Sequence, residues 1–278
     1  MTERLDQPRI ASPGNRRIKA AAALRDRRAR SAAGLTLVDG ARELRRALDA
    51  GVDVVEVFVV EARLAGPDAR AALAGLIAAG IEVVRVSDAA LSRLAFGDRN
   101  EGLVAVIRPR ARSLDDLALG DDPLIVVVED VEKPGNVGAV LRSADGAGAE
   151  AVIAAATGTD LANPNVIRAS AGTVFSVPTA AAEPAAVIDW LRGRGIRMVA
   201  ARVDGATPYT EVDLTGPLAI ALGSEADGLS PAWLAPDIQG IRLPMHGVAD
   251  SLNVSVSAAI LLYEARRQRD RRAVDQRS

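Results

Sequence analysis

The chain contains no cysteine and only one histidine, His246. The lack of cysteine excludes disulfides, thiolate nucleophiles and cysteine-ligated metals. With one histidine, a serine-histidine triad has a single possible base, and a zinc site would rest on carboxylates around one ring. Lysine is almost as scarce: it stands only at Lys19 and Lys133, and arginine supplies the rest of the 34 basic side chains. No apolar run approaches the ~20 residues that cross a bilayer. The stretch MTERLDQPRIASPGNRR at the amino end has no apolar signal core. The expectation is a cytoplasmic protein with no membrane contact. A G-x-G-x-x-G fingerprint is also missing, which removes NAD-dependent oxidoreduction.

What is present is 278 residues with uneven charge. That length holds one large domain or two ordinary ones. The first fifty residues carry twelve Lys/Arg against six Asp/Glu, and the tail from Arg266 carries six arginines against two aspartates. Basic patches on a mildly acidic chain fit a selective RNA binder. A general preference for arginine explains them equally well.

Helical and strand patterns alternate twice. Residues 16–31 have high helix propensity and a strongly basic face, which predicts a helix. Strands at 35–40, 54–61, 81–86 and 102–109 then interleave with helices at 41–51, 67–80 and 87–96. This predicts a small α/β domain over residues 1–108. Polar, irregular residues 109–122 read as a linker. A second domain spans 123–278, with expected strands at 124–130, 151–156, 196–203, 218–223 and 240–245. Its helices start near Asn136, Asn163, Pro184 and Ser251. Strands apolar throughout predict a parallel sheet covered on both faces.

Three stretches of the second domain carry chemistry. In EDVEKPGNVGAVLRSADGAGAE (129–150), an apolar strand ends at two acids. A proline-glycine turn follows, then a helix whose stripe is Val137, Val140, Leu141 and Ala144. Arg142 falls off that stripe, and the plain reading is a solvated arginine pairing with Asp145. In LGSEADGLS (222–230), glycines flank Glu225, so the backbone can turn sharply and approach a ligand, or form an ordinary strand-end turn. In IRLPMHGVADSLNVSVSAAILLYEARRQR (241–269), Ser251 stands at an expected helix N-cap. Leu252, Val256, Ala259, Ile260 and Tyr263 keep helical spacing, and His246 reads as a loop residue.

Together, in this order, these stretches resemble the SpoU/TrmH family of RNA ribose 2'-O-methyltransferases, of the SPOUT class. RASAGTVFSVP (168–178) is also similar to that family. SPGNRRIKAAAALRDRRAR and LVDGARELRRAL resemble the ribosomal-protein-like substrate-binding domain that many members carry in front, with Asp39 where many have glutamate. The resemblance implies a parallel-sheet SPOUT domain with a deep trefoil knot. It implies S-adenosylmethionine (SAM) bound by backbone around Leu222, Gly223, Ile241, Leu243, Leu252 and Asn253. Arg142 corresponds to the catalytic arginine, Asn136 positions it or the substrate, Glu225 organises the site, and Ser251 and Asn253 match the third motif. It further implies a homodimer, with Ile260, Leu261 and Ala265 as an apolar face compatible with it.

No metal is needed, because a sulfonium methyl is already activated. The front domain makes rRNA, large-subunit rRNA above all, the favoured substrate over tRNA, with Arg16, Arg17, Lys19, Arg27 and Arg28 as RNA contacts. A tRNA 2'-O-methyltransferase, or a non-catalytic RNA-binding or ribosome-assembly protein of the same fold, is the alternative.

Overall fold

The computed structural model describes residues 10–64, 66–96, 101–110, 112–156 and 158–275. The first nine and last three residues lie outside that set, and with them part of the polar amino-terminal stretch and of the basic tail. Two compact units emerge: residues 1–110 with Ala162–Ser176, and residues 111–161 with Val177–Ser278.

In the first unit, strands β1 (Thr36–Asp39), β2 (Asp53–Val59), β3 (Glu82–Arg85) and β4 (Leu103–Arg108) form a sheet in the order β1-β4-β2-β3. β4 pairs antiparallel with β1 and β2, and β3 runs parallel to β2. Alternate strand residues serve two cores. Val38, Val57, Val59 and Ala105 pack with helices α3 (Ala41–Asp49) and α4 (Pro67–Ala78). Leu37, Phe58, Val104 and Val106 pack with α1 (Arg16–Ala23) and α5 (Asp88–Leu94).

The basic segment expected as one helix over 16–31 is two. α1 stops at Leu24, and Asp26 caps a second helix, α2 (Arg27–Ala33), by accepting from the Ala29 amide at 3.0 Å. Buried Arg30 donates to the Leu24 and Arg25 carbonyls at 3.1 and 2.7 Å, closing the break.

The excursion Ala162–Ser176, assigned from chain order to the second domain, packs in the first unit as α7 (Pro164–Ala169) and α8 (Thr173–Ser176). Ile167 joins the α3–α4 core, and the Thr36 hydroxyl donates to the Ala162 carbonyl at 2.6 Å. Arg168 pairs with Asp39 at 3.1 Å, and the Phe96 amide donates to the same carboxylate at 2.7 Å. Burial raises the Asp39 carboxyl to about 6, against the lowering pull of the Phe96 amide and Arg168; Glu101 and Glu43 add to the rise.

The second unit holds seven parallel strands in the order β7-β6-β5-β10-β8-β11-β9. They are β5 (Leu124–Glu129), β6 (Ala151–Ala155), β7 (Thr179–Ala182), β8 (Arg197–Ala201), β9 (Thr207–Pro208), β10 (Leu218–Leu222) and β11 (Ile238–Arg242). β5, β6 and β10 are buried at every position, as a sheet covered on both sides requires. β7 and the short β9 were not legible in the sequence.

One core joins Ile125, Val127, Ile153 and Ala219 to α9 (Pro184–Gly193) and Trp233. Leu114 and Leu117 lie in it and Leu119 packs against it, so the expected linker is anchored to this core at these positions. Outside that cluster, α6 (Pro134–Ala147) and α10 (Val254–Asp275) pack together and against the sheet. Val137, Val140, Leu141 and Ala144 of α6 are all buried. Among the described residues no helix is long and apolar enough to cross a membrane.

Candidate active site

In a parallel sheet all strands deliver their following loops to one edge. β5, β10 and β11 thereby bring three loops together, after Glu129, Leu222 and Arg242. The loop after β10 turns at Gly223, where an added Cβ would lie 2.0 Å from the backbone carbon of Gly228. Only glycine permits this crossing. The Ser224 and Gly228 amides donate to each other's carbonyls at 3.1 Å, closing the turn that presents Glu225. Buried Glu129 pins the far end by accepting from the Ser230 amide and hydroxyl at 2.7 and 2.8 Å. Asp130, next along β5, adopts a left-handed φ of 50°, a conformation that side chains other than glycine rarely take.

Glu225 is the hub. Its Oε1 accepts from the Asn136 amide at 2.8 Å and the Asn253 amide at 2.6 Å, and its Oε2 from the Lys133 ammonium. The Asn253 amide also donates to Asn136 Oδ1 at 3.2 Å. Lys133 above all holds the Glu225 carboxyl below the usual carboxylate range; desolvation opposes it, and the Asn136 amide adds a lesser lowering. Asn253 in turn caps α10: its Oδ1 accepts from the Ser255 amide at 2.9 Å and hydroxyl at 2.6 Å.

Two clefts share the Glu225 wall. One, of about 510 Å³, is lined by Val203, Leu222, Gly223, Leu234, Leu243, Met245, Ser251 and Leu252, with Asp204 and Asp250 among its polar groups. Val203 and Leu234 are exposed in it, at 71% and 52% of their surface, apolar area that a flat hydrophobic ligand can cover. The other, of about 350 Å³, is lined by Asp130, Glu132, Lys133, Asn136, Asp227 and Val254, with Ser224 to Asp227 common to both. Among the described residues no group of three or more His, Cys, Asp or Glu is placed to hold a metal ion.

The residues expected from the sequence divide accordingly. Asn136, Glu225 and Asn253 meet in one network, and Leu222, Gly223, Leu243, Leu252 and Ser251 line the larger cleft. Ile241 does not line it: its side chain is fully buried in β11, and its carbonyl accepts from the Arg202 amide at 2.9 Å. Arg142 is exposed and lines neither of these clefts. Its guanidinium makes no hydrogen bond or ion pair among the described residues, so the expected pairing with Asp145 is absent. Ser251 is not the helix cap; α10 begins at Val254 because Asn253 supplies the capping oxygen.

The buried face of α10 is Val254, Ala258, Leu261, Leu262 and Ala265. Leu261 and Ala265, offered as a face for a second copy, are therefore core residues, while Val256 and Tyr263 stay exposed. His246 lies exposed in the loop before α10, as expected. Lys133 was missed, although a lysine in an arginine-rich chain was a visible signal.

In the first unit the basic residues also divide. Arg16, Lys19 and Arg28 are exposed, as is Arg27, which has a partner within the protein. Arg17 is bound into the fold, donating from Nε to Glu56 at 3.1 Å and from Nη1 to Glu82 at 2.9 Å. Much of the carboxy-terminal basic run is likewise committed: Arg266 donates to the Ala147 carbonyl, Arg267 to Glu264, and Arg269 to Asp122.

Comparison with known proteins matches residues 123–263 to the SpoU rRNA Methylase family and residues 15–105 to the MRM3-like substrate binding domain. The 23S rRNA (uridine(2479)-2'-O)-methyltransferase of Streptomyces viridochromogenes is 33% identical over 273 residues, covering 94% of this chain and 92% of its own. A solved RNA 2'-O ribose methyltransferase is 45% identical with a TM-score of 0.83, covering 94% of this chain and 99% of that one. The AdoMet-bound rRNA methyltransferase of Sinorhizobium meliloti is 29% identical with a TM-score of 0.84, covering 94% and 97%. With its sheet, its glycine-crossed loop and its matched domains accounted for, this chain belongs to the SpoU rRNA methylase family.

Proposed function

We propose that this protein transfers the methyl group of SAM to a ribose 2'-hydroxyl of large-subunit ribosomal RNA. The observation that carries the reading is the pair of clefts divided by Glu225, one with apolar walls and one beside the Asn136 amide. When bound, SAM supplies a methyl already activated by its sulfonium, so the protein need provide neither a Lewis acid nor a covalent intermediate. The residues of the larger cleft fit it: Leu222, Leu243 and Leu252 offer apolar walls. Gly223 keeps the loop close enough that a side chain there would collide with backbone.

What remains is to align the 2'-oxygen and to stabilise the charge it develops. Asn136, with one amide hydrogen uncommitted, holds the ribose, and Ser251 and Asn253 stand at the entrance to α10. Glu225, held below its usual range by its donors, is a poor proton acceptor and serves as their anchor. The Arg142 guanidinium is a five-donor fork suited to holding a flanking phosphate and stabilising the developing oxyanion. In-line alignment is itself a large effect, because pre-paid orientation can account for ~7–11 kcal/mol of a barrier.

The reading extends to the assembly and the thread of the chain. A homodimer is supported by Val256 and Tyr263, exposed seven residues apart on one face of α10. In that dimer Arg142, outside both clefts of its own chain, meets the ribose. A trefoil knot is supported by β11 lying between β8 and β9, and by Gly205, whose Cβ position falls 2.5 Å from the Ile241 backbone. The first unit grips the RNA through Arg16, Lys19, Arg27 and Arg28. The work is cytoplasmic and independent of a metal.

Labelled methyl transfer to separated rRNA and tRNA, with wild type and Arg142→Ala, tests the proposal. Label in large-subunit rRNA that disappears in the variant supports it. Label confined to tRNA overturns the substrate, and no transfer to RNA or to ribosomal particles overturns the activity.

A further inference from the structure

We propose that Lys133 is a positioning residue of the transfer site: it clamps one oxygen of Glu225 so that the other holds the Asn136 and Asn253 amides in a single orientation. The inference rests on the methyl-transfer reading above and assigns a role to a residue that no sequence motif marked.

The hydrogen-bond count carries the argument. Asn253 uses both amide hydrogens, on Glu225 Oε1 and Asn136 Oδ1, and its own oxygen accepts from the Ser255 amide and hydroxyl. Asn253 is thereby fixed. Asn136 spends one amide hydrogen on Glu225 and its oxygen on Asn253, leaving one hydrogen for a substrate. Reversing either amide would set an oxygen against a carboxylate oxygen. With Lys133 donating to Oε2 and the asparagines to Oε1, both oxygens of the Glu225 anion must accept, so protonating it would set a donor against a donor on one side or the other.

Lys133 is what keeps that anion in place. The other ionisable side chains lining the smaller cleft are Asp130, Glu132 and Asp227, all acids. Across the shared wall stand Asp204 and Asp250, with Arg202 already held by both oxygens of Asp204 at 2.9 and 2.6 Å. Among the described residues, Lys133 is the one cation in contact with Glu225. Its hydrogen bond is also the largest cause of the lowered Glu225 carboxyl.

The residue type follows from the same geometry. A guanidinium prefers to span both oxygens of a carboxylate, which would displace the asparagines from Oε1. An ammonium is a point donor and takes Oε2 alone. In a chain with lysine at only two of its 34 basic positions, this is one of the two.

The test compares full-length wild type, Lys133→Met and Lys133→Arg. The first readout is the side-chain amide NMR signals of Asn136 and Asn253 against pH, with neither RNA nor cofactor present, so it stands even if the activity is misassigned. Single-turnover methyl transfer and the affinities for SAM and RNA follow. In Lys133→Met the amide signals should titrate at higher pH than in wild type. The transfer rate should fall about tenfold or more, with both affinities within about twofold. Lys133→Arg should restore the low titration midpoint but only part of the rate. Two results would overturn the proposal. One is an unchanged amide titration in Lys133→Met. The other is a loss confined to RNA affinity with a shallower salt dependence, which marks a phosphate contact instead.

Discussion

Gly223→Ala is the sharpest probe of the loop that builds the site. An alanine Cβ would sit 2.0 Å from the Gly228 carbon, 2.1 Å from its oxygen and 2.3 Å from the Leu229 nitrogen, all backbone atoms. Reaching an ordinary 3.4 Å contact needs a separation of about 1.4 Å, the difference between 3.4 and 2.0 Å. The loop cannot spread that strain freely, because the Ser224–Gly228 bonds tie its base and Glu129 holds Ser230. Glu225 therefore moves, together with the wall common to both clefts. Overpacking of this kind costs ~1–3 kcal/mol of stability. A misplacement of ~1 Å at a reacting site costs on the order of 100-fold in rate. Gly228→Ala is the control: its Cβ meets nothing within 4 Å, and its φ of 69° adds only strain. That strain is about 1–2 kcal/mol. Thermal unfolding, SAM calorimetry and methyl transfer on both variants decide the matter. Wild-type rate and SAM affinity in Gly223→Ala would refute the reasoning.

Adjacent residues of α6 should separate fold from function. Leu141→Ala, at a fully buried position, should lose ~2–5 kcal/mol in denaturant unfolding. Arg142→Ala should leave the unfolding midpoint within measurement error and abolish transfer. In the first unit, Arg16→Ala, Lys19→Ala and Arg28→Ala together should weaken RNA binding. Their salt slope should fall by ~0.7–0.9 per lost phosphate contact while SAM affinity holds. Arg17→Ala should instead cost up to ~1 kcal/mol of stability through its pairs with Glu56 and Glu82, with little change in RNA affinity. Asp39 should make stability pH-dependent. Its carboxyl is raised from 3.8 to about 6, so the folded state holds the proton more tightly. Its contribution to stability therefore falls as pH rises through that window. Relative to Asp39→Asn, wild type should gain on the order of 2 kcal/mol as pH drops from 7 to 4. A flat difference across that range in urea titrations would contradict the burial argument.

The sequence by itself determined the alternating elements, because apolar periodicity and turn residues are local signals. β5, β6, β8 and β10 lie within two residues of their expected ends, and the α6 stripe is buried as its spacing requires. The motif residues Asn136, Glu225 and Asn253, singled out through resemblance, meet in one hydrogen-bond network. Only the tertiary structure decided the rest, where distant segments compete for the same groups. Asn253 took the capping role expected of Ser251 because its oxygen reaches the Ser255 amide. Arg17 looked like an RNA contact until Glu56 and Glu82, 39 and 65 residues away, claimed it. Residues 162–176 follow β6 in the chain yet pack on β1 and α3. Lys133 acquired a role only when the fold carried Glu225 back to it across 92 residues of sequence. Local periodicity sets which elements form, but ion pairs, caps and chain crossings depend on separations that no window of sequence contains.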